Sequence, residues 1–363
     1  MKKYKKDLFG KKISKNALLR DVWITPPFSV LNAREGNWQR RKKQWIKIGI
    51  QSELGRGESI TWGISPSGLD THGKNIAYTD NAKKNKKVCL GGSPRPACDY
   101  SKKERGDGTG KALAFTTQHK LSDGTMLSKQ TGTSIFDPVV CELMYKWFCP
   151  VHGKILDTFA GGSVRGIVAN YLGYRYTGID LSANQIKSNR EQAKTILKKN
   201  QPKWIVGDGM NCRNLAKGKY DFIFSCPPYG DLEIYSNDEK DLSTMSYQDF
   251  IKSYAKIIKR SVRMLKQNRF ACYVVANIRD KKTGFYNPLV SDTIEAFQNA
   301  GALYYNEAIL VTAIGSLPIR IGKQFKAGRK IGKTHQNILI FYKGDPKKIK
   351  ENFTEIEKIK IER

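Results

Sequence analysis

The sequence has few acidic residues and no long apolar run, and both features limit the classes of protein to which the chain can belong. No stretch of the 363 residues approaches the ~18 consecutive apolar residues that a membrane-spanning helix needs. The opening residues are charged and lack the apolar core of a signal peptide. We therefore expect no membrane association and a cytoplasmic location. Hydrophobic residues still make up 39% of the chain, so the composition predicts a globular protein and excludes a disordered one.

The charge is strongly one-sided. The chain has 64 Lys and Arg residues against 33 Asp and Glu residues, and its net charge is +31. About half of this excess lies in residues 1 to 130. Such a surface attracts polyanions, and nucleic acid is the leading candidate because neutralised phosphates release their counterions. A membrane surface fits less well, since the sequence has no basic amphipathic helix beside a lipid anchor.

Cysteine and histidine are too scattered to predict a disulfide framework or a metal site. The seven cysteines are an odd number without a C-x-x-C pair, and the four histidines share no spacing typical of a relay or a metal. Cys141, Cys149 and His152 come nearest to a zinc site, but a fourth ligand is lacking. We therefore predict buried thiols and no bound metal.

Residues 1 to 130 have an irregular pattern rich in Gly, Lys, Thr and Ser, and we predict a basic N-terminal module there. One helix is expected from Trp38 to Ile48. Its two tryptophans are seven positions apart and share a helix face, which we expect to point inward. The cations Arg40 and Arg41 on the same helix are candidates for contacts with phosphate.

From residue 131 to residue 345, apolar segments of strand length alternate with amphipathic helical segments such as Ala183–Lys198 and Tyr247–Leu265. This alternation predicts βαβ units, and hence a doubly wound, mostly parallel α/β sheet with an antiparallel last strand. The seven expected strands are Ile155–Thr158, Tyr176–Ile179, Trp204–Val206, Phe222–Ser225, Phe270–Ala276, Leu303–Val311 and Ile338–Tyr342. Residues 346 to 363 are expected to form a charged tail.

Acidic residues end three successive predicted strands. Asp157 precedes a turn with Gly161 and Gly162, whose glycines let the backbone approach a ligand closely. Asp180 ends the next strand, where a carboxylate is placed to bind a ribose, and Asp208 follows the third. Because parallel strands end at one edge of a sheet, the three acids predict a single ligand crevice there.

The fourth predicted strand runs into the most specific segment, Ser225-Cys226-Pro227-Pro228-Tyr229. Two prolines cannot continue a strand ladder, so they stop the strand and hold the Cys226 carbonyl and the Tyr229 ring at the sheet edge. A rigid aromatic ring beside a proline wall suits a flipped base stacked flat, with polar atoms near its exocyclic amine.

Together these motifs resemble the S-adenosylmethionine-dependent amino-methyltransferases that modify adenine N6 or cytosine N4 in DNA, over residues 131 to 343. Residues 25 to 57 are also similar to the leading region of phage-encoded members. The resemblance implies a Rossmann-like methyltransferase fold, and a host-cell cytoplasm if the chain is phage-encoded. It implies S-adenosylmethionine as the cofactor, with a binding site formed by Phe136, Asp157, Phe159, Gly161, Gly162, Asp180 and Asp208.

Two positions depart from that family's pattern. Ser163 stands where a third glycine is usual, and its small side chain is expected to leave cofactor binding intact. Cys226 stands where Asp, Asn or Ser usually accepts a hydrogen bond from the target amine, and a thiol accepts weakly. The oxygen would then come from Ser225 or from the carbonyls of Cys226 and Pro227. An alternative makes Cys226 a covalent nucleophile for cytosine C5 chemistry.

Two further segments bear on target recognition. Asp21–Phe28 also runs into Pro-Pro-aromatic, and it is the alternative catalytic segment. The link Ala313–Thr334 has cations without an acid, so we predict DNA contact there, with a solvated basic hairpin as the alternative. Its proposed DNA-binding residues are Arg320, Lys323, Lys326, Arg329 and Lys330.

The function expected is methyl transfer from S-adenosylmethionine to the exocyclic amine of a flipped base in double-stranded DNA. Adenine N6 is preferred to cytosine N4 on family frequency alone. One alternative is an RNA base amino-methyltransferase, which basic charge cannot separate from a DNA enzyme. A second alternative is an inactive DNA-binding protein on the same fold. The sequence leaves the recognition sequence, any restriction partner and the oligomeric state open.

Overall fold

The computed structural model describes residues 25–51, 136–229, 239–280, 282–314 and 317–353. The chain divides into two compact units, and every described residue belongs to the first. The second unit, Gly57–Ser134 with Leu232–Tyr235, lies outside the described residues. The predicted boundary of an N-terminal module at residue 130 therefore stays a prediction.

An eight-stranded sheet forms the centre of the described unit, in the order β1-β9-β10-β6-β5-β2-β3-β4. Neighbouring strands are parallel, except that β10 runs antiparallel to both β9 and β6. A two-stranded hairpin, β7–β8, lies apart from this sheet. The ten strands are β1 (Val30–Asn32), β2 (Lys154–Asp157), β3 (Arg175–Asp180), β4 (Lys203–Val206), β5 (Tyr220–Ser225), β6 (Leu265–Val275), β7 (Ile278–Arg279), β8 (Tyr286–Asn287), β9 (Leu303–Val311) and β10 (His335–Lys343).

All seven predicted strands are present, and the mostly parallel sheet with its antiparallel last strand is confirmed. The sheet has eight strands, one more than the seven predicted. The additional strand is β1, whose three residues pair in parallel with the end of β9. So short a segment has too little periodicity to be recognised, and the existing edge of β9 supplies its hydrogen-bond partners.

Helices cover both faces of the sheet, as in a doubly wound fold. One hydrophobic cluster joins the face beneath α1 to α4, and the other joins the face beneath α5 to α7. Successive residues of β5 point to opposite faces, with Phe222 in the first cluster and Ile223 in the second. The helices are α1 (Gly36–Lys47), α2 (Pro138–Phe148), α3 (Val164–Tyr171), α4 (Ala183–Ile196), α5 (Cys212–Leu215), α6 (Tyr247–Met264), α7 (Leu289–Asn299), α8 (Leu317–Gly328) and α9 (Ile349–Asn352).

Helix α1 packs on α2 through the tryptophan face that the sequence predicts. Trp38 and Trp45 are both buried. The Trp45 indole donates to the Glu142 carboxylate at 2.8 Å, and Arg41 forms an ion pair with the same carboxylate. Glu142 is fully buried, so its charge requires these partners. Arg41 therefore ties α1 to the sheet unit.

The link between β9 and β10 forms helix α8, so the alternative of a basic hairpin there is wrong. Leu317 and Ile321, four residues apart, are half-buried, whereas the cations of the helix are exposed. Within the described ranges, no helix is long and apolar enough to cross a membrane.

Candidate active site

The loops after β2, β3, β4 and β5 leave the sheet at one edge, because these four strands are parallel. Asp157 and Asp180 are the last residues of β2 and β3, Asp208 follows β4, and Ser225 ends β5. This carboxyl edge is where ligands bind in open α/β sheets.

The Asp157 carboxylate at this edge is fully buried and accepts four hydrogen bonds from neighbouring groups. One oxygen accepts hydrogen bonds from the Phe159 amide at 3.0 Å and from the Ser225 hydroxyl. The other oxygen accepts from Arg165 Nε and from the Tyr176 hydroxyl, each at 2.6 Å. Asp157 therefore ties the glycine turn to the end of β5 through four protein donors. Its predicted contact with the cofactor stays a prediction.

Arg165, the buried counter-charge of Asp157, is absent from the sequence prediction. Burial alone would lower the pKa of its guanidinium, but the adjacent Asp157 charge raises that pKa well above its ordinary value. The same group donates to the Ala160 carbonyl at 3.0 Å and lies 4.7 Å from the centre of the Phe136 ring. Phe136 thus packs on the arginine that holds the turn. Arg165 lies eight residues after Asp157 on α3, and no familiar motif marks it.

The turn after β2 is held from two sides. Gly161 has a left-handed backbone with φ of 49°, which favours glycine. Its amide donates to Asp180 at 2.7 Å, and its carbonyl accepts from Asn189 of α4 at 2.7 Å. The second Asp180 oxygen accepts from the Ser182 amide at 2.9 Å. Burial raises the pKa of Asp180, although these two backbone donors act in the opposite direction.

Ser163, in the place of a third glycine, is buried and donates its hydroxyl hydrogen bond to Gln192. The Gln192 amide donates in turn to the carbonyl of Gln51, at the end of the described N-terminal segment. The serine therefore links the glycine turn to residues that follow α1. This contact gives the departure from the family pattern a structural role.

Three predicted cofactor residues remain, Gly162, Asp208 and Phe159, and Gly162 is half-buried beside Gly161 in the turn. Asp208 accepts a hydrogen bond from the Met210 amide at 2.8 Å and caps a short helical turn, Gly209–Asn211. Phe159 is half-buried, with its ring centre 6.1 Å from that of Tyr254 and 6.5 Å from that of Tyr273. Their contacts with a cofactor stay predictions.

Beyond β5, Pro227 is buried, whereas Cys226, Pro228 and Tyr229 are half-buried at the sheet edge. The Cys226 sulfur lies 3.7 Å from the Tyr229 hydroxyl. Gln336 donates a hydrogen bond from its side-chain amide to that hydroxyl at 2.8 Å. Gln336 is a positioning residue that the sequence prediction lacks.

The direction of β10 explains how Gln336 reaches this site. Because β10 is antiparallel to its neighbours, it begins at the edge where β5 and β6 end. Gln336 is the second residue of β10 and therefore lies at the carboxyl edge. It is 107 residues from Tyr229, so no local motif connects them.

The alternative catalytic segment ends at Phe28, two residues before β1. Strand β1 pairs with the last three residues of β9, with Val30 opposite Ile309, so the register does not place Phe28 at the amino edge of the sheet. The separation comes instead from the strand order, in which β1 is the outermost strand, four positions from β5. Phe28 is thus far from the crevice; Asp21 to Ile24 lie outside the described residues.

The predicted DNA-binding cations are exposed on α8 and directly after it, and within the described ranges none of those five forms an ion pair. The α1 cations differ, because Arg41 pairs with Glu142, whereas Arg40 bonds to Asn37. Contacts of all these cations with DNA stay predictions. Among the described residues no group of three or more His, Cys, Asp and Glu side chains could hold a metal.

The strand order identifies the fold. Seven strands follow the order β4-β3-β2-β5-β6-β10-β9, with β10 alone antiparallel, and β1 is an addition at the edge. The chain has a Rossmann-like methyltransferase fold. The carboxyl edge described above is where open α/β sheets bind their ligands.

A comparison with curated proteins finds one relative that matches part of the chain. The chain is 31% identical over 127 residues to trimethylguanosine synthase of Saccharomyces cerevisiae, covering 32% of this chain and 39% of that protein. The chain thus spans about two fifths of that relative's length. No family model matches.

Two solved structures are similar in fold. A methyltransferase from Pyrococcus furiosus has a TM-score of 0.39 and 16% identity over 62% of this chain and 92% of that one. Magnesium protoporphyrin IX methyltransferase from Synechocystis PCC 6803, solved with bound S-adenosylmethionine, has a TM-score of 0.36 and 15% identity over 57% and 77%. The fold assignment rests on the strand order.

Proposed function

We propose that this chain is an S-adenosylmethionine-dependent methyltransferase that methylates the exocyclic amine of a base in double-stranded DNA. The observation that carries the proposal is the placement of Cys226-Pro227-Pro228-Tyr229 directly after Ser225, which is bonded to Asp157 at the base of the glycine turn. One carboxylate thereby connects the aromatic segment for the base with the turn for the cofactor.

The residues of the crevice fit this cofactor. Asp180 is half-buried at the end of β3, where its carboxyl group would accept hydrogen bonds from ribose hydroxyls. The left-handed Gly161 turn presents backbone to a ligand without a side chain in between. Asp208 would accept from the adenine amine, and Phe159 would face the methionine portion.

When bound, S-adenosylmethionine supplies an electrophilic methyl group for transfer to nitrogen. Tyr229 would stack on the flipped base, and Gln336 fixes the tilt of that ring through its hydroxyl. The carbonyls of Cys226 and Pro227 would accept hydrogen bonds from the target amine and aim its lone pair at the methyl carbon. The amine would form its new N–C bond as the S–C bond of the bound cofactor breaks, and its proton would leave to solvent. Positioning supplies most of the rate in this scheme, so the weak acceptor Cys226 is tolerated.

RNA is the second candidate substrate, and the similarity to trimethylguanosine synthase favours it. An exocyclic amine of an RNA base would use the same aromatic edge. The net charge of +31 supports a nucleic-acid partner of either kind. We place the activity in a cytoplasm, that of a host cell if the chain is phage-encoded.

The deciding experiment incubates the purified protein with labelled S-adenosylmethionine and either unmethylated bacterial DNA or total RNA, then identifies the methylated nucleosides by mass spectrometry. Label in N6-methyladenine or N4-methylcytosine from DNA is the expected result. Label from RNA alone would replace the DNA proposal with the second candidate. No label, together with no cofactor binding in calorimetry, would indicate an inactive binding protein.

A matched pair of variants ties the activity to the crevice. Tyr229→Ala is expected to abolish transfer and leave cofactor binding largely intact. Tyr304→Ala changes an exposed tyrosine at the amino end of β9, at the opposite edge of the sheet, and is expected to retain activity. An active Tyr229→Ala variant would refute the proposed role of the aromatic segment.

A further inference from the structure

The β7–β8 hairpin lies at the same sheet edge as the candidate active site. It directly follows β6, which is parallel to β5, so it begins where Tyr229 follows β5. Asn277, just before the hairpin, accepts a hydrogen bond from Lys333 on its carbonyl at 3.2 Å. Its side-chain oxygen accepts from the Val290 amide at 2.9 Å. The base of the hairpin is thus anchored to α7 and to the link before β10.

The tip of the hairpin is a well-bonded turn. The Asp280 side chain accepts from the Lys282 amide at 3.0 Å and from the Thr283 amide at 2.6 Å. Gly284, with φ of 77°, donates to the Asp280 carbonyl at 3.0 Å. The next residue, Phe285, is 78% exposed. A bonded turn therefore presents a large apolar ring to solvent.

Cations surround the aromatic residues of the hairpin. The Arg279 guanidinium lies 4.1 Å from the centre of the Tyr286 ring, and the Lys333 amine lies 5.8 Å from it. The Lys330 amine would lie 3.5 Å from a Cβ placed on Gly284, so the link after α8 reaches the tip. We call this set the hairpin surface: Arg279, Lys282, Phe285, Tyr286, Lys330 and Lys333.

We propose that the hairpin surface binds the DNA strand beside the flipped base, with Phe285 stacked on a neighbouring base and Lys282 and Lys330 against phosphates. This inference rests on the proposed function, because the occupied site must deliver a base to Tyr229. Cations interleaved with exposed aromatic rings are the usual means of holding a nucleic-acid strand. A protein partner fits less well, since lysine is depleted in the cores of protein interfaces.

The test measures binding of a short, labelled, unmethylated DNA duplex by fluorescence anisotropy across a series of salt concentrations. Phe285→Ala is expected to weaken binding by about 5- to 150-fold, the range for one base–aromatic stack. Its control is Leu303→Ala, which removes an exposed apolar residue at the amino end of β9.

A second pair of variants tests the phosphate contacts. The double variant Lys282→Ala with Lys330→Ala is expected to reduce the slope of log affinity against log salt by about two, because each phosphate contact contributes about 0.9. Lys154→Ala with Lys203→Ala removes two exposed lysines at the amino ends of β2 and β4, and we expect an unchanged slope. All of these side chains are exposed, and a thermal melt of each variant checks that it folds.

The outcomes separate this inference from the proposed function. Suppose that the wild type methylates DNA, and that Phe285→Ala and the lysine double variant bind DNA as tightly as the wild type. This result would overturn only the proposed role of the hairpin surface. Weakened DNA binding by these variants without methylation by the wild type would support the surface and overturn the proposed function. Binding of an RNA hairpin but not DNA would overturn DNA as the occupant.

Discussion

The hydrogen bond from Gln336 to Tyr229 links the beginning of β10 to the proposed catalytic segment, and its removal gives a sharp prediction. Gln336→Leu keeps an apolar body of similar size but removes the amide that donates to the Tyr229 hydroxyl at 2.8 Å. Tyr229→Phe removes the same bond from the other side and keeps the ring. Each variant should lower kcat for methyl transfer because the ring is less firmly oriented against the target base.

The size of the effect follows from the bond lost. A neutral hydrogen bond contributes about 0.5–1.5 kcal/mol net, so each single variant should reduce kcat by about two- to tenfold. Cofactor affinity should not change, because Gln336 bonds to Tyr229 and not to the proposed cofactor turn. That turn is held by the bond from the Gly161 amide to Asp180. The double variant should be no slower than the slower single variant, because both substitutions remove the same bond.

The assay combines steady-state methyl transfer with calorimetric titration of S-adenosylmethionine into each variant. Asn337→Leu is a useful control, because this neighbour on β10 bonds to Glu307 of β9 instead. Losses that multiply in the double variant would refute a shared role for the two residues. A loss of cofactor affinity in Gln336→Leu would show that β10 acts on the glycine turn and not on the aromatic ring.

Three further predictions concern stability and are checked by urea unfolding. Arg165→Met should lower the free energy of unfolding by about 3–5 kcal/mol, because it leaves the fully buried Asp157 carboxylate without its counter-charge. The control Lys252→Met removes the exposed ion pair with Asp249 and should change the free energy of unfolding by less than about 1 kcal/mol. Burial raises the pKa of Asp221, but the Lys154 amide, Lys266 and Arg269 outweigh it and the net pKa is lowered. The ionised carboxylate therefore stabilises the fold above the ordinary pKa of about 3.9, and this stabilisation is lost as the pH falls through the lowered value. Asp221→Asn should accordingly cost about 1–2 kcal/mol at neutral pH, with a difference from the wild type that shrinks in acid; a difference independent of pH would contradict the assignment. Gly166→Ala would place a Cβ 2.5 Å from the buried Trp204 ring and should cost about 1–3 kcal/mol, whereas Gly322→Ala, with nothing within 4 Å, should be neutral or stabilising.

The agreement between expected and observed strands has a local cause. A strand buried on both faces needs consecutive apolar residues, and Phe222 to Phe224 show that pattern without any tertiary information. The same holds for Trp38 and Trp45, whose helical spacing puts both on the buried face of α1. The link Ala313–Thr334 has no such regular pattern. Leu317 and Ile321, the half-buried positions of α8, have helical spacing. Pro318 and Gly322 lie beside them, and these two residue types are unfavourable in helices, so the segment does not read as a helix.

The sequence by itself therefore determined the alternation of strands and helices, the acids at the strand ends and the proline-bounded aromatic segment after β5. Each of these depends on residues close together in the chain. Only the tertiary structure decided that Arg165 balances Asp157, that Arg41 docks α1 on Glu142 and that Gln336 holds Tyr229. These pairings depend on which strands are neighbours and in which direction each runs. Gln336 reaches the candidate active site because β10 alone runs against the sheet, so its first residues share an edge with the last residues of β5.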